Sequence, residues 1–249
     1  MTGWPDGYGR VVLAETGSTL DEGLARVAQD PAPFWVLAHR QTAARGRRGR
    51  MWSMPTGNFA ATLMLQPHEP PAVTALRSFV MSLALYNACI EMTGRADAFA
   101  LKWPNDVLLR GGKLAGILLE TTGQAGVMGH LAIGVGVNLV AAPGADEIEP
   151  GAVTPTSLRA ALGLTITPEL FLDALARAYA PLEQQFVTYG FAPIRTAWMA
   201  QAARLGEQVL ARTGREEISG IFEDVDADGN LLLRTPRGVR AIAAADVFF

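Results

Sequence analysis

Lysine is scarce in this chain: Lys102 and Lys113 are its only two, against nineteen arginines, and they stand eleven residues apart in LKWPNDVLLRGGKLAGILLE. An ammonium is a compact, movable point charge suited to a phosphate or carboxylate oxygen, whereas a guanidinium is a rigid planar fork. Two ammoniums kept in one short segment of an arginine-rich chain mark a candidate anion site; the alternative is a chance pair on a surface hairpin. Upstream, the run from Gln41 to Trp52, QTAARGRRGRMW, carries four arginines in six positions, spaced by glycine. Glycine allows close backbone approach to a ligand, and arginine forks grip phosphate and carboxylate oxygens in paired, charge-assisted hydrogen bonds. The combination reads as an anion-binding loop, with a solvated charge run or a short basic patch for nucleic acid as the alternatives. Trp52 and the turn-like Met54–Asn58 tie the run into folded structure.

Other chemistries are poorly served. The Gly112-Lys113 pair lacks the flanking residues of a phosphate-binding P-loop, and Gly134-Val-Gly136 has Leu139 where a third dinucleotide-fold glycine would stand. His39, His68 and His130 have no Cys or acidic neighbours at metal-ligand spacing. No serine nucleophile elbow is present. The single cysteine, Cys89, sits in an apolar helical pattern with nothing nearby to activate it.

These residues need a scaffold, and the chain is long enough to supply one. Its 249 residues suit one large domain, or one of about 150–200 residues with a small appendage. With 49% hydrophobic and 18% charged residues a sizeable core is accessible and disorder is disfavoured. The formal charge of −3 argues against general coating of nucleic acid. A lone cysteine fits a reducing cytoplasm, and no apolar run nears the eighteen or so residues of a membrane span. The expectation is a cytoplasmic protein with no membrane partner.

Patterning predicts strands over residues 8–15, 34–39, 58–65, 99–109, 113–121 and 130–139, the last three a sheet with a hairpin across Arg110–Gly112. Ser18 with Asp21 three residues on predicts a capping box opening a helix to about Gln29. After the Pro31–Pro33 break, residues 72–93 read as one long buried helix, with further helices over 157–163, 168–187 and 191–203, and a loop over Ala141–Thr156. From Gly206 the chain changes to short alternating runs with turn residues between them, the pattern of a small β-barrel of about forty-five residues. The expected class is α/β (α+β): a mixed-sheet domain over 1–203, then a small SH3-like barrel over 204–249.

Taken in order, Ser18-Thr19, Arg45–Arg50 with Trp52, Lys102–Asp106 (KWPND), Lys113–Glu120 (KLAGILLE) and Gly134–Leu139 (GVGVNL) resemble biotin protein ligases in sequence and spacing. The resemblance covers about residues 10–249. It implies a two-step reaction in which biotin and ATP, with Mg2+, give biotinyl-5'-AMP, which then acylates one lysine of a biotin carboxyl carrier protein. On that resemblance Arg45, Gly46 and Arg47 belong to a loop closing over biotin and its adenylate, and Lys113 binds the carboxyl and bridging phosphate oxygens. Lys113, Arg45 and Arg47 are the expected catalytic set. Ser18, Thr19, Leu20 and Gln41 would line the polar end of the biotin pocket, and Gly116 its apolar length. Trp52, Lys102, Asn105, Asp106 and Asn138 would flank the nucleotide, with Asp106 the candidate Mg2+ ligand.

The chain departs from the family at Ala44 and Leu20, where glycine and asparagine are common, and lacks a basic residue near its end. A pattern beginning by residue 10 leaves no room for the DNA-binding domain of some members, so no DNA partner is expected, and either a monomer or a homodimer. A lipoate or octanoate ligase or transferase is the related alternative. A nucleic-acid module would show binding that falls steeply with salt.

Overall fold

The computed structural model describes residues 3–30, 33–124, 127–144 and 151–249. Pro31 and residues 145–150 of the expected loop lie outside them. A seven-stranded mixed sheet forms the main layer: β1 (Gly9–Leu13), β2 (Phe34–Ala38), β3 (Phe59–Leu65), β4 (Phe99–Lys102), β5 (Asp106–Leu109), β6 (Gly112–Gln124) and β7 (Val127–Val137). Its order is β1-β2-β3-β7-β6-β5-β4, parallel at β1–β2 and antiparallel elsewhere.

The two faces of this sheet are built from different residues. On β7, Ile133, Val135 and Val137 join the main core with Ile117 of β6, while Ala132 packs in a separate small cluster with Leu20, Phe34, Val36 and Met64. Fully burying each large side chain contributes about 1.5–3 kcal/mol. A period of two therefore leaves Gly134 and Gly136 on the opposite face. The core face is covered by α3 (Arg77–Thr93) and α5 (Pro168–Tyr189), which pack on one another. The opposite face carries α1 (Thr19–Arg26), packed on β2, β3 and β7.

Several expectations change in detail. The predicted strand 99–109 is two strands, because Pro104 has no N–H for a ladder; Trp103–Asn105 form the turn, with a cis Trp103–Pro104 bond. The predicted helix 72–93 is divided at Leu76 into α2 (Pro71–Ala75) and α3. Glu69 pins the junction, its carbonyl accepting from Thr74 and its carboxylate from Arg77 Nη2 at 3.0 Å. Pro71–Thr93 is long and apolar enough, at mean hydropathy 1.4, to cross a membrane, but 72% of it is buried inside the protein. Ser18 caps α1 by accepting from Leu20 N, whereas Asp21 makes no capping-box contact and instead holds Arg45. A charge-assisted fork outcompetes a neutral backbone donor there.

After α4 (Leu158–Leu162) and α6 (Phe191–Met199) comes a second sheet: β8 (Gln208–Arg212), β9 (Glu217–Val225), β10 (Leu231–Thr235), β11 (Gly238–Ile242) and β12 (Asp246–Phe248). It is antiparallel, ordered β11-β10-β9-β8-β12, and SH3-like. The three-residue β12 was invisible as an alternating run. Trp103 Nε1 donates to Gly229 O at 3.0 Å, joining the β4–β5 turn to this sheet.

Arg77 is 2% exposed and pairs with Glu69 at 3.0 Å and Glu183 at 2.8 Å, which locks α3 to α5. Removing one partner of such a buried set leaves uncompensated charge, so Arg77→Ala is expected to cost about 3–5 kcal/mol. Urea unfolding checks this as a lowered midpoint at unchanged slope.

Candidate active site

The β4–β5–β6 meander brings the two lysines to one carboxylate. Asp106, 6% exposed, has Lys113 Nζ at 2.7 Å from Oδ1 and Lys102 Nζ at 3.4 Å from Oδ2. Burial pushes the Asp106 carboxyl up, but Lys113 and then Lys102 outweigh it and hold the group below its ordinary range. Burial likewise lowers Lys102, opposed by the charge of Asp106. The triad carries one net positive charge, which favours an incoming anion.

It lies in a cavity of about 530 Å3, a common size for a small-molecule site. The floor is read directly from strand register. Thr62, Gly134 and Leu118 form one cross-strand row, and Ala60, Gly136 and Gly116 form the next. Beyond them Asn138 is buried and accepts from Asn58 Nδ2 at 3.4 Å. At the first row Gln41 Oε1 accepts from Thr19 N at 2.7 Å and Thr19 Oγ1 at 3.1 Å, while Thr62 Oγ1 donates to Thr19 Oγ1 at 2.8 Å. At the second row the Trp52 indole lies on the paired glycines: a Cβ on Gly136 would come within 2.5 Å of Trp52 Cε2, and one on Gly116 within 3.2 Å of Cζ3. A polar end, a glycine floor under an aromatic ring and a cationic end thus succeed one another. From Gly134 to Asn138 the strand advances about 13 Å.

The Arg/Gly loop borders the cavity. Arg45 clasps two carboxylates: Asp21 of α1 at 2.8 and 2.7 Å, and Glu120 of β6 at 3.0 and 2.8 Å. Hydrogen bonds donated to Asp21, then to Glu120, raise the Arg45 guanidinium above its ordinary value. Arg47 donates to Asn105 Oδ1 at 3.3 Å. Asn105 Nδ2 donates to Ile117 O at 2.5 Å, fixing the turn after Pro104 against β6.

The residues to which the resemblance gives a role all line this one cavity: Ser18, Thr19, Leu20, Gln41, Arg45, Gly46, Arg47, Trp52, Lys102, Asn105, Asp106, Lys113, Gly116 and Asn138. Profiles of two families match the chain, the biotin/lipoate A/B protein ligase family over residues 8–138 and the biotin protein ligase C terminal domain over residues 205–249. The chain belongs to the biotin/lipoate protein ligase family.

Among relatives of this family, a biotin–[acetyl-CoA-carboxylase] ligase of Paracoccus denitrificans is 52% identical over 96% of this chain and 99% of its own length. The bifunctional ligase/repressor BirA of Bacillus subtilis is 32% identical over 95% of this chain, which spans 71% of that protein. The solved biotin protein ligase of Aquifex aeolicus, in complex with biotin and ATP, has a TM-score of 0.81 at 25% identity, covering 96% of this chain and 97% of that one.

Some lining or supporting residues carried no sequence signal. Thr62 and Asn58 sit in an apolar strand and its lead-in, and only the ladder places them beside Thr19 and Asn138. Glu120 ends the KLAGILLE motif with no role implied by its type or spacing, yet it anchors Arg45. Conversely Cys89 is fully buried with its thiol pushed up to about 12 by burial, so it takes no part. Among the described residues no cluster of three or more His, Cys, Asp or Glu could hold a metal ion. Asp106, the candidate Mg2+ ligand, instead faces a lysine with each oxygen.

The depressed Asp106 sets a pH dependence. Its pairing contributes stability above the ordinary carboxylate pKa of about 3.9, and that contribution is lost as pH falls through the lower folded value. Asp106→Asn should therefore destabilise the protein by about 3–5 kcal/mol at pH 7. The gap from wild type should persist to pH 4 and shrink below it, as read by urea unfolding at a series of pH values.

Proposed function

We propose that this protein activates biotin with ATP to give biotinyl-5'-AMP and pyrophosphate, and then transfers biotin to one lysine of a biotin carboxyl carrier protein of an acetyl-CoA or related carboxylase. The observation that carries the reading is the order of groups along the cavity floor, polar at Thr19–Gln41, flat under Trp52, cationic at Lys113. A ligand with a polar ring, an apolar tail and a terminal carboxylate fits that order. The 52% identity to the Paracoccus denitrificans ligase supports it.

In the first step the biotin carboxylate attacks the α-phosphorus of ATP and pyrophosphate leaves. Two anions must meet, so fixed positive charge is the main requirement. Lys113, with Lys102 behind Asp106, supplies it from the strands, and Arg47 from the loop. In the second step the neutral amine of the carrier lysine attacks the acyl carbon and AMP leaves, carrying the electron pair of the broken C–O bond. No enzyme nucleophile is needed. Closing the loop keeps water from the mixed anhydride. Among the described residues, the carboxylates lining the cavity, Asp106 and Asp246, are both engaged by cations, which supports magnesium entering as the complex of ATP. We assign the main domain to residues 1–203 and the terminal barrel to 204–249, and a cytoplasmic setting, which the single buried thiol suits.

Incubation with biotin, MgATP and a biotin-carrier domain should raise the carrier's mass by one biotinyl group, dependent on its acceptor lysine; lipoate and octanoate serve as competing acids. No transfer and no biotin-dependent pyrophosphate release would sink the reading. Lys113→Ala should slow adenylation by about 100-fold or more, measured as biotin-dependent pyrophosphate exchange. Gly136→Ala, which drives a methyl into Trp52, should weaken biotin binding by about ten-fold or more in calorimetry, with the fold retained by circular dichroism.

A further inference from the structure

The terminal sheet reaches the cavity through β12, where Asp246, Val247 and Phe248 line its wall. Where the family resemblance implies a basic residue near the chain end, the acidic Asp246 stands at the loop. Asp246, with a side chain 15% exposed, has Arg48 Nη1 at 2.6 Å, Arg50 Nη2 at 2.9 Å and Arg47 Nη1 at 3.8 Å. The neighbouring Ala245 carbonyl accepts from Arg47 Nη1 and Nη2, each at 3.5 Å.

The carboxylate sits on a paired strand, whereas the loop arginines sit on a surface turn. Asp246 pairs in register with Arg212 of β8, and Val247 and Phe248 are buried. The turn Arg47–Gly49 has no buried residue, and Arg48 stands at φ 58 in the left-handed region. A non-glycine residue persists there only where its surroundings hold it, and the Arg48 side chain ends on Asp246. Three guanidiniums also repel one another when gathered at one rim, and a single carboxylate between them relieves that repulsion. One charge against three leaves the rim positive, so the anchor does not cancel its attraction for phosphate.

We propose that Asp246 is a positioning residue for adenylation: from the terminal sheet it pins the arginine loop across the cavity, holding Arg47 beside Asn105. The catalytic consequence rests on the adenylating function proposed above; the anchoring itself does not. The terminal domain thereby takes part in the reaction without contributing a group to the reacting atoms.

The test uses full-length, ligand-free protein under limited trypsin, with cleavage after Arg47, Arg48 and Arg50 quantified by mass spectrometry. Asp246→Asn should raise loop cleavage about five-fold or more, while Asp246→Glu, which keeps the charge, should stay near wild type. The exposed turn at Arg237 is the internal control, and its rate should not change. In parallel, release of preformed biotinyl-AMP should quicken in Asp246→Asn and recover in Asp246→Glu. Equal loop cleavage in wild type and Asp246→Asn overturns the proposal, as does a parallel rise at Arg237, which would report opening of the whole barrel. Faster loop cleavage with unaltered adenylate release also overturns the positioning role. If the wild type formed no biotinyl-AMP, the functional reading would fall while the cleavage comparison still reported on the anchor.

Discussion

A buried carboxylate between two ammoniums organises this molecule. Asp106 needs cationic partners to remain ionised where it is, and it draws them from either side along a three-strand meander: Lys102 from β4 and Lys113 from the start of β6. The turn at Trp103–Asn105 and the register shift between Val107 and Leu108 set where those side chains meet. One interaction therefore ties the edge of the sheet together and leaves a net positive charge at one end of the cavity. It also accounts for the retention of lysine in a chain that otherwise uses arginine. A planar fork suits an exposed pair of oxygens, whereas two compact ammoniums can share one buried carboxylate.

The sheet serves two purposes because its residues alternate. Isoleucine and valine on β7 face α3 and α5 and supply the burial that holds the layers together. Between them, Gly134 and Gly136 leave the other face low enough for the Leu20 and Trp52 side chains to lie on it. Helix α1 closes the first end of this trough with its cap Ser18, which accepts from Leu20 N, and with Thr19, whose hydrogen bonds run to Gln41 and Thr62. A rigid floor with a polar end and a charged end follows from strand period and register alone. The loop above it is held differently, by charge: Arg45 to α1 and β6, Arg47, Arg48 and Arg50 to the terminal sheet. Those ties are ionic and peripheral, unlike the buried packing that holds the floor.

Much of this was legible in the residues. The strand-and-helix order and the change to short β runs near Gly206 agree with local patterning, and the convergence of the Arg/Gly, KWPND and KLAGILLE segments on one cavity agrees with the family resemblance. The failures are local and physical. The apolar residues on both sides of KWPND hid the break at Pro104, because hydrophobicity alone does not reveal a missing backbone donor. The helix division at Leu76 depends on Glu69, a contact outside the helix. Asp21 has the spacing of a capping residue but is taken by an arginine 24 positions away.

What the sequence by itself determined is the chemistry on offer: an ammonium pair, an arginine loop softened by glycine, and alternating glycine and valine. These are statements about residue type and local spacing, and side-chain chemistry and backbone period are local properties. Tertiary structure alone decided which charges face which. It set Asp106 between both lysines, gave Arg45 to Asp21 and Glu120, put Thr62 and Asn58 beneath the cavity, and brought Asp246 to the loop from about 200 residues away. Such pairings depend on sheet register and on how two sheets meet, and no local pattern carries that information, because a charge finds its partner in space and not along the chain.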